Sequence, residues 1–268
     1  MTDHSKEGES FHSSPLRIGM IVPSSNVTME HEIPQMLRAH ENLSSDRFTF
    51  HSSRVRLKRV AKEELIQMNT HADRAALELG DAGVDIVLYA CLVAVMVEGK
   101  SAHVVAEERL KRVLATEGIS VPIITSAGAL VETLHDINAS RVAIVAPYLP
   151  TLTKQVCNYL ENEQIEVASS CSLSVDDNLA VGRLNPEHLL EIAPTLPKQV
   201  DAVVLSACVQ MPSLDVIAEV ENLLGVPVIS AATATLYRAL TALGIQPKIP
   251  GYGGLLSGNL LQHDNRSV

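Results

Sequence analysis

Short apolar runs rich in Val, Ile and Leu alternate with longer stretches whose apolar residues recur at helical spacing, and the alternation begins at Leu16. RIGMIV, RFTFHSSRVR, DIVLYAC, VPIIT, RVAIVAP, IEVASSCSL, AVVLSAC and VPVIS read as strands, because β-branched runs of this length suit a buried sheet. Between them the spacing predicts helices over 30–40, 62–81, 101–116, 127–136, 151–161, 187–199, 213–224 and 231–243. Strands separated by helical crossovers must run parallel, with helices covering both faces of the sheet. The predicted fold class is therefore α/β.

The pattern also repeats. RIGMIVPSSN at 17–26 matches RVAIVAPYLP at 141–150, DIVLYAC at 85–91 matches DAVVLSAC at 201–208, and VPIITSAGALVETLHDI at 121–137 matches VPVISAATATLYRALTALG at 226–244. Three matched blocks in one order predict two Rossmann-like βα domains related by a pseudo-twofold, with parallel sheets. Equivalent strand ends then face each other across a cleft, where open parallel sheets bind ligands. The expected division is a flexible tail over 1–14, a first domain over 15–126 plus 231–268, and a second domain over 127–230.

Composition narrows the function. The 268 residues carry 46% apolar side chains, enough for a substantial core, and a net charge of −10 that argues against nucleic acid or an anionic membrane as partner. With no Trp and only 3% aromatics, base stacking has little to work with. No apolar run approaches the roughly 20 residues that span a bilayer, and the start MTDHSKEGESFHSSP lacks the order of a signal peptide, so the expected location is cytoplasmic. Cysteines at 91, 157, 171 and 208 show neither CxxC spacing nor disulfide density, which predicts reduced thiols and no metal site. The glycine-rich GYGGLLSG matches neither a phosphate loop nor a dinucleotide fingerprint, so no cofactor is expected.

Cys91 and Cys208 finish equivalent strands and are expected to confront each other across the cleft. Taken singly, each is a small hydrophobe ending a buried strand. Loops beyond the strand ends add polar groups. In PSSNVTMEHEIP, Ser25 or Asn26 caps a helix that Pro34 interrupts early, yet the density of small hydrogen-bonding groups there also suits a carboxylate. Its counterpart APYLPTLT presents Tyr148, and DDNLAVGRLNPEHL presents Asn178 ahead of Gly182. Cys157 and Cys171 have no equivalent partner and read as core or surface thiols.

These residues carry a resemblance. A duplicated α/β chain with one cysteine ending the equivalent strand in each half resembles the aspartate/glutamate racemase superfamily, and VPSSNVTME, YACLVAVM, APYLP, VDDNLAVGRL and SACVQMPS resemble its maleate cis-trans isomerase branch. The resemblance runs from about Arg17 to the C-terminal helix. It implies a cofactor-independent isomerase acting on a small dicarboxylate, maleate, at the lower end of a bacterial aromatic or pyridine degradation route, as a homodimer or higher homo-oligomer. It further implies that Cys91 is the nucleophile and Cys208 the opposing acid/base, that Asn26, Tyr148 and Asn178 hold the substrate carboxylates, and that the backbone amides of Val93 and Val209 assist. Val209 and Gln210 depart from the Thr or Gly that many superfamily members have after the second cysteine.

The same two thiols also suit an amino-acid or hydantoin-type racemase, removing and returning a proton on opposite faces of one carbon. Decarboxylation of a malonate fits less well, because the relatives that perform it keep only the second cysteine. A dicarboxylate-binding protein with inherited core cysteines is the non-enzymatic alternative.

Overall fold

The computed structural model describes residues 14–260. Residues 1–13 of the expected tail, and residues 261–268, lie outside the described residues. The chain forms two four-stranded parallel sheets. In the first, β1 (Leu16–Pro23), β2 (Phe48–Val55), β3 (Ile86–Tyr89) and β4 (Ile123–Thr125) lie in the order β2-β1-β3-β4. Their helices are α1 (Met29–Glu41), α2 (Lys62–Asp81), α3 (Leu92–Met96), α4 (Ala102–Ala115) and α5 (Ser126–Asp136). The second sheet repeats that order as β6-β5-β7-β8, from β5 (Arg141–Ala146), β6 (Glu166–Ser172), β7 (Ala202–Ser206) and β8 (Val228–Ser230). It carries α6 (Pro150–Asn162), α7 (Asn178–Val181), α8 (His188–Ile192), α9 (Ile217–Leu224) and α11 (Gly254–Ser257), whereas α10 (Ala231–Ala242), which follows β8, packs against α1, α5, β3 and β4 of the first half as well as β8.

The duplication extends to single hydrogen bonds. The Asp85 carboxylate accepts from the Arg17 amide at 2.7 Å, and the Asp201 carboxylate accepts from the Arg141 amide at 2.8 Å. Val87 donates to the Pro122 carbonyl at 3.0 Å, as Val203 does to Pro227 at 2.8 Å. Just before each cysteine, Ala90 donates to Ile21 and Ala207 to Val145, both at 2.9 Å. The two cysteine-bearing strand ends are thus anchored alike. The central strands β3 and β7 are buried along their whole length, which explains why they read as continuous apolar runs. Each fully buried Val, Leu or Ile stabilises the fold by about 1.5–3 kcal/mol.

Helix starts follow the same logic. Thr125 caps α5 by accepting from Gly128, and Ser230 caps α10 in a capping box with Thr233. The two helices pack together, with Thr235 donating to Ser126 at 3.0 Å and Arg238 paired with Glu132 and Asp136. No helix among the described residues is long and apolar enough to cross a membrane.

Against the expected helices, α7 and α11 are additional short turns and the span 213–224 opens as a 3₁₀ turn at Leu214–Val216 before α9. Pro34 lies inside α1, as the span 30–40 requires, and does not break it; removal of one helical hydrogen bond, a penalty of about 3 kcal/mol, is offset by burial of Met29, Ile33, Met36 and Leu37 on the same helix. The helix expected over 187–199 is only α8 followed by a 3₁₀ turn at Ala193–Thr195, because Pro194 and Pro197 leave the backbone short of donors. An additional helix, α3, starts directly after Cys91.

Candidate active site

Cys91 follows β3 and is the N-cap residue of α3, while Cys208 lies two residues beyond β7 in a tight turn. Both face one small chamber of about 20 Å³, which Pro23, Asn26, Leu57, Val60, Tyr148, Asn178, Val93, Val209 and Gln210 help to line. All of the residues expected at the site therefore come together. No Lys, Arg, His, Asp or Glu side chain lines this chamber. Cys157 and Cys171 lie elsewhere, the first buried and the second half-buried.

The thiols feel their burial. Desolvation pushes Cys91 up to about 12, against the nearby Ala94 amide, which pulls down, while neighbouring Cys208 adds to the rise. Cys208 is also raised by burial; the Tyr148 hydroxyl and the amides of Gln210 and Met211 stabilise its thiolate, and the Glu32 charge opposes it. The Gln210 amide lies 3.4 Å from the Cys208 sulfur. Tyr148, itself 3% exposed, is raised well above the ordinary phenol value by the same desolvation. It contacts the second thiol directly, a relationship that its loop position did not reveal.

Each asparagine has a structural bond that orients its amide. Asn26 is fully buried; its side-chain oxygen accepts from the Met29 amide at 3.1 Å, and its NH₂ group points to the Val209 carbonyl at 3.5 Å. The N-cap residue of α1 is Thr28, not Ser25 or Asn26 as expected, yet the Asn26 oxygen still satisfies the first amide of the helix while its NH₂ group remains a donor. The Asn178 NH₂ donates to the Ser25 hydroxyl at 2.5 Å, and Asp177, one residue earlier, caps α7 through the Ala180 amide. The Val93 amide lies in the first turn of α3, where a helix supplies no acceptor.

Sequence reasoning missed Leu57, Val60 and the role of Gln210. The first two lie in the loop after β2, and because β2 is parallel to β1, that loop necessarily emerges at the edge where PSSN does. It bridges the halves through an antiparallel pairing of Arg59 with Asp177. A further cavity of about 430 Å³, lined by Arg59, Lys62, Tyr148 and Asp176 among others, adjoins the chamber and shares Val60 and Tyr148 with it. Glu32 was also missed: its buried carboxylate accepts from Ser213 and Leu214 at 3.0 and 3.2 Å, in the segment that follows Cys208. Burial raises it to about 7.

Two matched sheets that direct two thiols into one chamber define a class of enzyme, and the family model described as arylmalonate decarboxylase matches residues 18–256. Within that class the chain belongs to the maleate isomerase family and is an isomerase. It is 53% identical to a maleate isomerase of Pseudomonas putida over 90% of this chain and 97% of the relative. A crystal structure of a maleate isomerase from Pseudomonas putida S16, a cysteine-to-alanine variant with maleate, superposes with a TM-score of 0.91 at 50% identity, covering 93% of this chain and all of that one. A cysteine-to-serine variant of the Nocardia farcinica maleate cis-trans isomerase, carrying a covalently bound succinylcysteine intermediate, superposes at 0.88 with 43% identity over 91% of this chain and 99% of that one.

Proposed function

We propose that the protein converts maleate to fumarate, with Cys91 adding to the double bond and Cys208 moving the proton. The observation that carries this reading is the placement of two thiols from equivalent strand ends in one chamber that holds no other ionisable side chain except Tyr148. The succinylcysteine in the Nocardia farcinica relative supports a thioether intermediate.

Rotation about a carbon–carbon double bond requires that bond to become temporarily single. The Cys91 thiolate adds to one alkene carbon, and the carboxylate on the far side takes up the developing charge. Cys208 gives its proton to the second carbon, leaving a succinyl thioether on Cys91 and a thiolate on Cys208. Rotation about the new single bond places the carboxylates apart. Cys208 then retrieves the proton, the carbon–sulfur bond breaks, and fumarate leaves with the Cys91 thiolate restored. One proton, carried from Cys208 to the substrate carbon and back, closes the cycle.

Asn26, Asn178 and Tyr148, with the Val93 and Val209 amides, supply neutral donors for the substrate carboxylates. Donors without positive charge hold a dianion while leaving no cation to pair with the nucleophilic sulfur. Reduced thiols require a reducing compartment, which supports a cytoplasmic location.

Purified protein incubated with maleate and followed by proton NMR tests the reading. Growth of the fumarate alkene signal is expected; unchanged maleate overturns it. Unchanged maleate together with exchange of the α-proton of an amino acid points instead to the proton-transfer chemistry of a racemase.

A further inference from the structure

We infer that Gln210 is a positioning residue that holds the two asparagine-bearing loops and the Cys208 turn in one frame. The inference rests on the proposed reaction, because it assigns how the carboxylate donors of that reaction are kept in register.

The Gln210 side chain is 3% exposed, and its amide makes contacts on both sides. Its oxygen accepts from the Val27 amide at 3.1 Å and faces the Thr28 amide at 3.5 Å. Its nitrogen donates to the Ser25 carbonyl at 2.9 Å and to the Asn178 carbonyl at 3.0 Å. A primary amide offers two donor hydrogens and one oxygen with two acceptor sites, and all are engaged here. Carboxylate, hydroxyl or hydrocarbon of similar length would leave at least two of the partners unpaired. The flanking backbone joins the same frame: the Gln210 carbonyl accepts from the Thr28 hydroxyl at 2.8 Å, and the Gln210 amide faces the Cys208 sulfur.

One residue therefore connects the second thiol, the loop that bears Asn26 and the turn that bears Asn178. Asn26 and Asn178 come from different halves of the duplicated chain, so nothing in either half alone sets their separation. Gly182 corroborates the tight seat. A methyl group at position 182 would lie 2.6 Å from the Gln210 amide nitrogen, and all three of the nearest atoms it would meet belong to Gln210.

The test is a cycle on the full chain, with steady-state maleate turnover and calorimetric maleate binding measured together. Gln210→Met is expected to raise KM and weaken maleate binding by about tenfold or more, the ~1.4 kcal/mol that a positioned hydrogen bond contributes. Gly182→Ala is expected to raise KM in the natural background and to change nothing in a Gln210→Ala background, where the obstructed side chain is gone. A purely structural role predicts that Gln210→Met lowers the melting temperature while KM and Kd stay where they are. Equal effects of Gly182→Ala in both backgrounds, or an unmoved KM and Kd in folded Gln210→Met, overturn the inference while leaving the reaction in place. Absence of maleate turnover in the unaltered protein overturns the reaction, and the binding measurements then still decide the role of Gln210; absence of both turnover and binding overturns both.

Discussion

The Tyr148 hydroxyl stands beside the Cys208 thiol, placed to donate to it when it is ionised. In the proposed reaction this gives Tyr148 two tasks, holding a substrate carboxylate and supporting the thiol that moves the proton. Because the two groups share a buried chamber with space for about one water, the interaction is little screened.

Tyr148→Phe keeps the ring and removes this donor. A hydrogen bond to a charged group contributes about 1.5–3 kcal/mol, so kcat/KM is expected to fall about 10- to 100-fold. Progress curves across pH check it, and the loss should be accompanied by a further upward shift of the Cys208 titration. Unchanged kinetics would leave Tyr148 as wall alone.

The cysteines should separate by their trapped states. Cys91→Ala is expected to abolish both turnover and the mass increase of one maleate on the protein. Cys208→Ala is expected to lose turnover while a maleate adduct still forms on Cys91. Intact-protein mass spectrometry reads both. Adduct formation in the Cys91→Ala protein would reassign the nucleophile.

Burial pushes Cys91 up to about 12, so the thiolate fraction of the free protein grows tenfold per pH unit across the whole neutral and mildly basic range. Alkylation of Cys91 by iodoacetamide is accordingly expected to accelerate with pH without a plateau below about pH 10. Peptide mapping against time provides the rates. A plateau near pH 7 would mean that the amides at the start of α3 outweigh desolvation.

Glu32 should make stability depend on pH. Its carboxyl rises from the ordinary 4.5 to about 7 in the fold, mainly through burial. Between those values the folded protein keeps a proton that the unfolded chain releases, so stability falls as pH rises through that window and the cost stays constant above it. From pH 5 to 8 the decline attributable to Glu32 is about 2–3 kcal/mol. Glu32→Gln keeps the acceptor for Ser213 and Leu214 and should lose this part of the slope in urea unfolding at the two pH values.

Much of the architecture was legible because β3 and β7 are buried on both faces and therefore read as apolar runs, broken only by Ser206 at the end of β7, while α2 and α4 show one apolar stripe each. Cys91 and Cys208 became a candidate pair through internal comparison, since Ala90 and Ala207 precede them in matched strands. Other features carry no periodic signal. The α3 segment LVAVM is buried on every side, so its helix looks like a strand continuing. Leu57 and Val60 are ordinary apolar residues in a basic loop; only strand order places them at the chamber. Gln210 was visible as a departure after the second cysteine, yet its partners at Ser25, Val27 and Asn178 lie far away in the chain. Long-range polar pairing of this kind leaves no mark on local composition.

The halves are not fastened evenly around the chamber. On one side Asn26, Thr28 and Glu32 are tied to Val209, Gln210, Ser213 and Leu214, whereas on the other the loop after β2 meets the second half through the Arg59 and Asp177 pairing beside the larger cavity. A chamber of about 20 Å³ has space for about one water and none for a four-carbon diacid. Arg59 and Lys62 line the larger cavity on the lightly joined side, so positive charge borders the chamber of the two thiols without lining it.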